Sequence, residues 1–506
     1  MGKVYLIGAG PGDVGLITVK GLNCIKTADV VVYDYLASPR LLAYAREDAE
    51  IIYVGKKGGD HTLSQDGINA LLVEKARAGN TVARLKGGDP FIFGRGGEEA
   101  EVLVEKGVPF EIVPGVTSAI AAPAYAGIPL THRKHTATVA FVTGHEDPTK
   151  DGSNIDWSKI STGIGTIVFL MGIKNLPMIT QKLKENGRAP NTPVALVRWG
   201  TTPGQETVTG TLDTISDVAE KAGIKPPAVI VVGEVVDLRP MLSWFETKPL
   251  FGRKILVTRS RKQASTLVDK LLDLGADCIE TPTIELVPPQ DKKPLEDAVD
   301  AISSYDWVVL TSVNGVDYFF DCLFAQGKDA RALGNAKVAA IGPATSARLK
   351  EYGLVSDIVP KTYRAESVVE AFMQEDMQGK KVLLPRAKQA RPILPVELTK
   401  MGALVDEVPA YETVQASQDQ ARALWEKLET GQIDMVTFTS SSTVSNFVAL
   451  FDKEKLLIVM EGVKTASIGP ITSDTARDLS IQVDMEAEEY TIDGLVQAIV
   501  DSVGKK

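Results

Sequence analysis

Only three cysteines, Cys24, Cys278 and Cys322, occur in 506 residues, and they lie far apart. That spacing excludes a disulfide framework and any CxxC metal or redox motif, so the three read as buried apolar fillers. Histidine is nearly as scarce, with four in all. His132 and His135 form HxxH, but no nearby Cys or carboxylate completes a ligand set, and no metal is expected. Long apolar runs are missing too. The first run, Val4 to Ile7, is stopped by Gly8, Gly10, Pro11 and Gly12, too short for a secretory or membrane-spanning segment. A cytoplasmic chain is the expectation. Positive charge is in deficit: 55 Lys and Arg stand against 65 Asp and Glu, a net charge of −10. That balance argues against a broad nucleic-acid-binding face, so an anionic substrate has to be met locally.

What is present is a globular composition, 44% hydrophobic and 24% charged, on a chain long enough for roughly three or four domains. Short Val/Ile-rich runs alternate with amphipathic stretches: Val4 to Ile7, then Leu16, Val19, Leu22 and Ile25 at helical spacing, then Val30 to Tyr33. The alternation reads as α/β with largely parallel strands. Breaks fall near Pro114 to Ser118 and at Glu246 to Gly252.

Beyond residue 251 the sequence repeats itself. GRKILVTRS from Gly252 resembles GKKVLLPRA from Gly379, an offset of 127 residues. The same offset carries Arg259 to Arg386, Gly275 to Gly402, Pro282 to Pro409, Ile341-Gly342-Pro343 to Ile468-Gly469-Pro470, and Tyr363 to Tyr490. An internal duplication predicts two similar lobes with a cleft between them. The related stretches Thr281 to Pro288 and Glu407 to Val414 are expected to pair as a two-stranded connector, so that each lobe draws on both copies. Each copy also carries hydroxyl-rich turns where helices should begin, Thr311-Ser312 and Ile-Gly-Pro before Thr345 in one, Thr439-Ser440 and Ile-Gly-Pro before Thr472 in the other. Such residues cap helices. Symmetrically placed helix N-termini also suit carboxylates, and four of them favour a polyanion-binding cleft.

The opening GAGPGDVG, with Asp34 after the next strand, invites a dinucleotide reading, but the third position of GxGxxG is Asp13, and no GK[ST] follows. A second glycine-dense segment is more specific: Arg84-Leu85-Lys86-Gly87-Gly88-Asp89-Pro90-Phe91, then Phe93-Gly94-Arg95-Gly96-Gly97-Glu98-Glu99. Its glycines let backbone approach a ligand closely. Asp89 can accept from an amino or ribose group, while Arg95 and Glu98 at i and i+3 either share a helix face toward a ligand or form a surface ion pair.

VYLIGAGPGD, VVYDYLAS, GGDPFIFGRGGEE, PGVTSA, GIPLTHR and FLMG, in this order over residues 1 to about 245, resemble the uroporphyrinogen-III C-methyltransferases of the tetrapyrrole methylase family. The resemblance implies a two-lobed α/β fold over 1–246, with lobes of about 1–113 and 114–246, a homodimer, and S-adenosylmethionine held between lobes. It carries cofactor contacts onto Pro11, Gly87, Gly88, Asp89, Ile92, Thr117, Ser118, Met171, Gly200 and Ala228. It places Asp34 and Lys56 as proton acceptor and donor, and Arg95, Glu98 and Arg133 at the tetrapyrrole. Methyl displacement from a sulfonium by an electron-rich pyrrole carbon depends chiefly on alignment, leaving a base only a proton to remove. Asp34 suits that task or, equally, a ribose contact. Arg95 and Arg133 suit substrate carboxylates.

ILVTRS, WVVLTS, AAIGPATS, VLLPRA, VPAYET, TFTSSS and SIGPITSDTARDL, in order from residue 252 to 505, resemble uroporphyrinogen-III synthase. That likeness implies a duplicated two-lobed α/β fold over 252–506, with lobes of about 252–286 joined to 412–506, and 289–408. It implies cyclisation of hydroxymethylbilane with ring D inverted through a spiro intermediate, which needs a cleft to hold the chain folded and one acid for the departing water. Tyr411 matches the suspected acid, or is an ordinary strand aromatic. Ser312, Thr345, Arg386, Ser440 and Thr472 are the expected carboxylate contacts. The expectation is a bifunctional tetrapyrrole enzyme making precorrin-2. The alternatives are methylation of another tetrapyrrole or of a macromolecule, and a non-catalytic tetrapyrrole-binding module in the duplicated half.

Overall fold

The structure, a computed structural model, describes residues 1–55, 63–145, 154–258, 261–281, 283–334, 336–360 and 365–504, of which 261–265 and 365 are described by backbone alone. Lys56, Arg259, Pro282 and Tyr363 lie outside these residues. Two compact units emerge: Met1–Ile255 with Leu267–Cys278 and Val496–Lys506, and Leu256–Thr266 with Ile279–Leu495. Among the described residues no helix is long and apolar enough to cross a membrane.

The first unit opens with strands β1 (Lys3–Gly8), β2 (Val30–Tyr33), β3 (Glu50–Tyr53), β4 (Thr81–Lys86) and β5 (Phe110–Val113). They form one sheet in the order β3-β2-β4-β1-β5, parallel throughout. Val30, Val31 and Val32 are all buried, the continuous apolar run expected of a strand covered on both faces. A second sheet, ordered β6-β7-β10-β8-β9, uses β6 (Val139–Thr143), β7 (Thr166–Leu170), β8 (Pro193–Arg198), β9 (Glu206–Thr211) and β10 (Ala228–Val232). Here only β6 and β7 run parallel. β10 is antiparallel to both neighbours. β8 is antiparallel to β9, because the loop of residues 199–205 between them is too short for the helical crossover that parallel pairing needs. The expectation of largely parallel strands therefore holds for the first sheet and not the second.

The duplicated region supplies β11 (Lys254–Val257), β12 (Asp277–Glu280), β13 (Ile284–Val287), β14 (Trp307–Leu310), β15 (Lys337–Ala340), β16 (Lys381–Ala387), β17 (Leu404–Gln415), β18 (Met435–Phe438), β19 (Lys464–Ser467) and β20 (Met485–Glu486). One sheet runs β12-β11-β18-β19-β20 and the other β13-β17-β16-β14-β15. Each sheet thus mixes strands of both copies. The chain changes sheet where β13 pairs antiparallel with the end of β17, Ile284 opposite Gln415 through Val287 opposite Glu412, reaching one residue past the end of the second stretch expected to form a connector. The first half of β17 pairs parallel with β16, so one strand serves a lobe and the connector together.

Candidate active sites

In the first unit the loops after β1, β4 and β5 converge at the carboxyl ends of the parallel strands, where α/β sheets hold ligands. Gly10 and Gly88 exchange backbone hydrogen bonds, N to O distances being 3.2 and 2.7 Å. A Cβ on Gly8 would stand 2.4 Å from the Gly115 Cα, and one on Gly87 2.4 Å from the Leu36 Cβ, so no side chain fits at either. Gly88 has φ +71, open to glycine at no steric cost.

These loops and the second sheet enclose a cavity of about 450 Å³, within the range of cofactor sites. Pro11, Gly87, Gly88, Asp89, Ile92, Thr117, Ser118, Met171, Gly200 and Ala228 all line it. So do residues not singled out from the sequence: Leu36, Phe93, His145, Lys174 and Trp199. Phe93, Met171 and Trp199 are non-glycine residues at φ 52, 58 and 47. Backbone strain of this kind gathers at functional sites, and no sequence pattern announces it. Phe93 alone had a signal, its place inside the glycine-dense run.

Asp89 is occupied by its own loop. Its Oδ1 accepts from the Phe91 and Ile92 N–H groups at 2.8 and 3.1 Å, and Oδ2 from the Gly115 N–H at 2.9 Å. It therefore ties the glycine loop to the segment ahead of Thr117, which caps the helix Ser118–Tyr125 by accepting from Ala119 N–H. Asp13 does the corresponding work for the first loop: its Oδ2 accepts from the Tyr125 hydroxyl at 2.7 Å, and its N–H donates to Thr201 Oγ1 at 3.1 Å.

A second, more open cavity of about 770 Å³ shares Phe93, His145 and Met171 with the first. Arg95 and Glu98 line it. Arg95 holds Glu98 in a two-point ion pair, Nε to Oε1 3.0 Å and Nη2 to Oε2 2.6 Å, on side chains 58% and 53% exposed. The guanidinium keeps the Glu98 carboxyl below the usual glutamate range. Arg133 sits on an exposed turn closed by the His132–Thr136 bridge and lines neither cavity. The His132 and His135 rings are tilted at 46° with centroids 4.9 Å apart, and His135 faces Glu234.

Asp34 follows β2, its Oδ1 accepting from the Leu36 N–H at 3.2 Å and its Oδ2 from Arg84 Nη2 at 3.1 Å. It lines neither cavity itself, but Leu36, two residues on, lines the smaller one. Behind it lies a buried cluster: Glu99 Oε1 accepts from Lys86 Nζ at 2.6 Å, from Arg84 Nε at 3.4 Å and from Gln65 Nε2 at 3.3 Å.

In the second unit Ser312 caps the helix Val313–Ala325, its Oγ accepting from the Gly315 N–H at 2.9 Å. The same oxygen is 3.1 Å from the Tyr411 hydroxyl. The Tyr411 ring stacks on Tyr318 at 5.4 Å and is 7% exposed. Arg386 is 5% exposed. Its Nη2 donates to the Arg391 carbonyl at 2.6 Å, while Nε and Nη1 have no hydrogen-bond partner among the described residues. Burial draws this guanidinium below the usual arginine range, with Glu407 opposing. Donors so placed suit an anion. Thr345 and Thr472 are buried in the first turns of the helices Pro343–Glu351 and Pro470–Asp478. Ser440 caps Ser441–Ala449 through a capping box with Thr443, as the simple capping reading expects.

Two α/β lobes closing on a glycine-walled cavity, followed by a strand-exchanged duplication with hydroxyl-capped helices, define a chain of two small-molecule enzymes. Tetrapyrrole (corrin/porphyrin) methylases match residues 3–216, and uroporphyrinogen-III synthase HemD matches residues 217–497. The porphyrin biosynthesis protein HemD of Ruminiclostridium josui is 40% identical over 506 residues, 99% of this chain and 98% of that protein. The uroporphyrinogen-III C-methyltransferase of Priestia megaterium is 56% identical over 237 residues, 47% of this chain and 99% of its own. A crystal structure of uroporphyrin-III C-methyltransferase from Thermus thermophilus, complexed with S-adenyl homocysteine, is 41% identical and covers 47% of this chain and all of that one, with a TM-score of 0.41. The chain belongs to both families, a tetrapyrrole methylase joined to a uroporphyrinogen-III synthase.

Proposed function

We propose that the second half cyclises hydroxymethylbilane to uroporphyrinogen III with inversion of ring D, and that the first half methylates this product at positions 2 and 7 to give precorrin-2. The observation that carries the reading is the shared wall of Phe93, His145 and Met171 between an enclosed cavity and an open one. Transfer between two reactants needs two sites meeting at one boundary. S-adenosylmethionine, held in the enclosed cavity, supplies an activated methyl group at a sulfonium. The fit rests on glycine approaches too close for any Cβ at Gly8 and Gly87 and on apolar walls from Leu36, Leu170 and Val229. Arg95 meets a propionate or acetate of the macrocycle in the open cavity, and Glu98 orients Arg95. Asp34 accepts the proton, and Lys56 is the donor assigned by resemblance alone.

In the synthase half Tyr411 is the acid for the departing hydroxyl. Ser312 Oγ already accepts from Gly315 N–H, so its own proton can go to the phenolic oxygen, leaving the Tyr411 proton to be given up. Arg386 and the helix starts at Ser312, Thr345, Ser440 and Thr472 take substrate carboxylates. The boundary falls between Glu246 and Gly252: the HemD match begins earlier, at 217, but β10 is hydrogen-bonded between β7 and β8 of the first half. The reading includes a homodimer formed through the first half and a cytoplasmic location.

The test supplies hydroxymethylbilane and S-adenosylmethionine to the pure chain and follows the product by mass and absorbance. A cyclic tetrapyrrole bearing two added methyl groups is expected. Cyclisation without methylation, or methylation only of supplied uroporphyrinogen III, removes one half of the proposal.

A further inference from the structure

One cluster of buried charge connects features of the first half that the sequence leaves separate. Arg84 and Lys86 alternate on β4 and share a face; they are 3% and 4% exposed, and Glu99, in the helix Gly96–Glu105, is 0% exposed. Glu99 Oε1 receives both cations, while Oε2 has no hydrogen-bond partner among the described residues. Arg84 is spent in three directions: Nε toward Glu99, Nη1 to the Leu85 carbonyl at 2.9 Å, and Nη2 to Asp34 Oδ2 at 3.1 Å. Asp34 is the member that reaches solvent, with 27% of its side chain exposed. Lys86 directly precedes Gly87 and Gly88, and Glu99 directly follows Glu98.

Buried ion pairs are costly to assemble and contribute little net stability, so a fold has small reason to keep this one for cohesion. We infer that Arg84 is a positioning residue for methyl transfer: it holds the Asp34 carboxylate in one orientation, with Glu99 as the buried counter-charge that holds Arg84. This rests on the reading of Asp34 as proton acceptor. The pyrrole carbon takes the methyl from a sulfonium donor, its π pair forming the new C–C bond while the C–S pair returns to sulfur. The macrocycle, now cationic, releases a proton to Asp34. A proton leaving a cation is acidic, so the base need not be strong; it must be in place, which the Arg84 Nη2 contact to Asp34 Oδ2 secures. The other groups that feel Asp34 are Lys86 on β4, which burial and Arg84 push below the usual lysine range, and Tyr53 on β3.

The experiment uses the full chain with uroporphyrinogen III and S-adenosylmethionine supplied, and compares Arg84→Met, Arg84→Lys, Asp34→Asn and the Asp34→Asn/Arg84→Met double variant. Arg84→Met is expected to lower kcat about 10²-fold, the cost of a misplaced reacting group. KM and the calorimetric affinity for S-adenosylmethionine stay within about twofold, and cyclisation of hydroxymethylbilane is unchanged. Arg84→Lys restores part of kcat, and the double variant is no slower than Asp34→Asn, as for two residues acting as a unit. An unchanged kcat in Arg84→Met, with Asp34→Asn inactive, overturns the inference. Full activity of Asp34→Asn defeats the underlying reading of Asp34 instead. Should Arg84→Met fail to fold, Arg84→Lys decides alone: a lowered kcat at unchanged KM, with Asp34→Asn/Arg84→Lys no slower than Asp34→Asn, supports the role, and wild-type behaviour refutes it.

Discussion

The Ser312 and Tyr411 hydroxyls lie 3.1 Å apart across 99 residues of sequence. The duplication does not repeat this pair. At the repeat offset, Tyr411 corresponds to Ile284 and Ser312 to Thr439, while the hydroxyl of Ser440, the next residue, faces Ser442 at 3.0 Å. The proposed acid therefore stands on one side of the duplication alone. Tyr411→Phe should lower kcat for cyclisation by about 10²-fold or more, the usual contribution of a placed acid, while methylation of supplied uroporphyrinogen III is untouched. Ser440→Ala should raise KM more than it lowers kcat. Steady-state rates with hydroxymethylbilane check both.

Asp89 engages three backbone N–H groups, so its removal frees both the glycine loop and the Gly115 segment. Asp89→Ala is expected to weaken S-adenosylmethionine binding by about tenfold, equal to about 1.4 kcal/mol, with little effect on macrocycle formation. Calorimetry reading an unchanged affinity would remove Asp89 from the cofactor site.

Tyr125 and Tyr305 are both half-buried and both donate to carboxylates, Asp13 and Asp406. Burial first, then the neighbouring carboxylate, raises each above the usual tyrosine range. A group that holds its proton more tightly when folded adds stability in full below the unfolded value near 10, and that stability is lost as pH rises through the folded value. Denaturant midpoints should therefore fall as pH climbs past about 10. Tyr125→Phe with Tyr305→Phe should flatten that decline, and ultraviolet titration should find two phenols slow to ionise.

The segment at the proposed junction is folded rather than free. Glu246 accepts from Gln205 and Thr207 and pairs with Arg239, Leu250 is fully buried, and Phe251 meets Phe245 edge to face at 5.4 Å. Fragments divided near Pro249 should each catalyse their own half-reaction, with a lowered melting temperature from the exposed Leu250 and any loss of activity confined to coupled flux at low substrate. Two folded fragments without activity would defeat this boundary.

One wall of the glycine-lined cavity was legible before any coordinates, because close backbone approach demands glycine and leaves a local signature such as Gly87-Gly88-Asp89, whereas Met171, Gly200 and Ala228 were named by family resemblance alone. Trp199, His145 and Lys174 were not: they reach the cavity from loops of the second sheet, where an ordinary side chain meets a distant one with no pattern in the chain. Arg133 is the converse, a cation nominated by its motif that sits on an exposed turn.

Taken by itself, the sequence determined whatever depends on period, spacing and glycine: the α/β class, the duplication, and the exchange of strands between lobes, which follows from two related extended stretches at one offset. Tertiary structure alone decided the direction of strands in the second sheet, the partner of Asp34 and the meeting of Ser312 with Tyr411. Those depend on distances between residues far apart in the chain. A buried ion or hydroxyl is satisfied by whichever group packing brings within reach, and packing is a property of the whole fold.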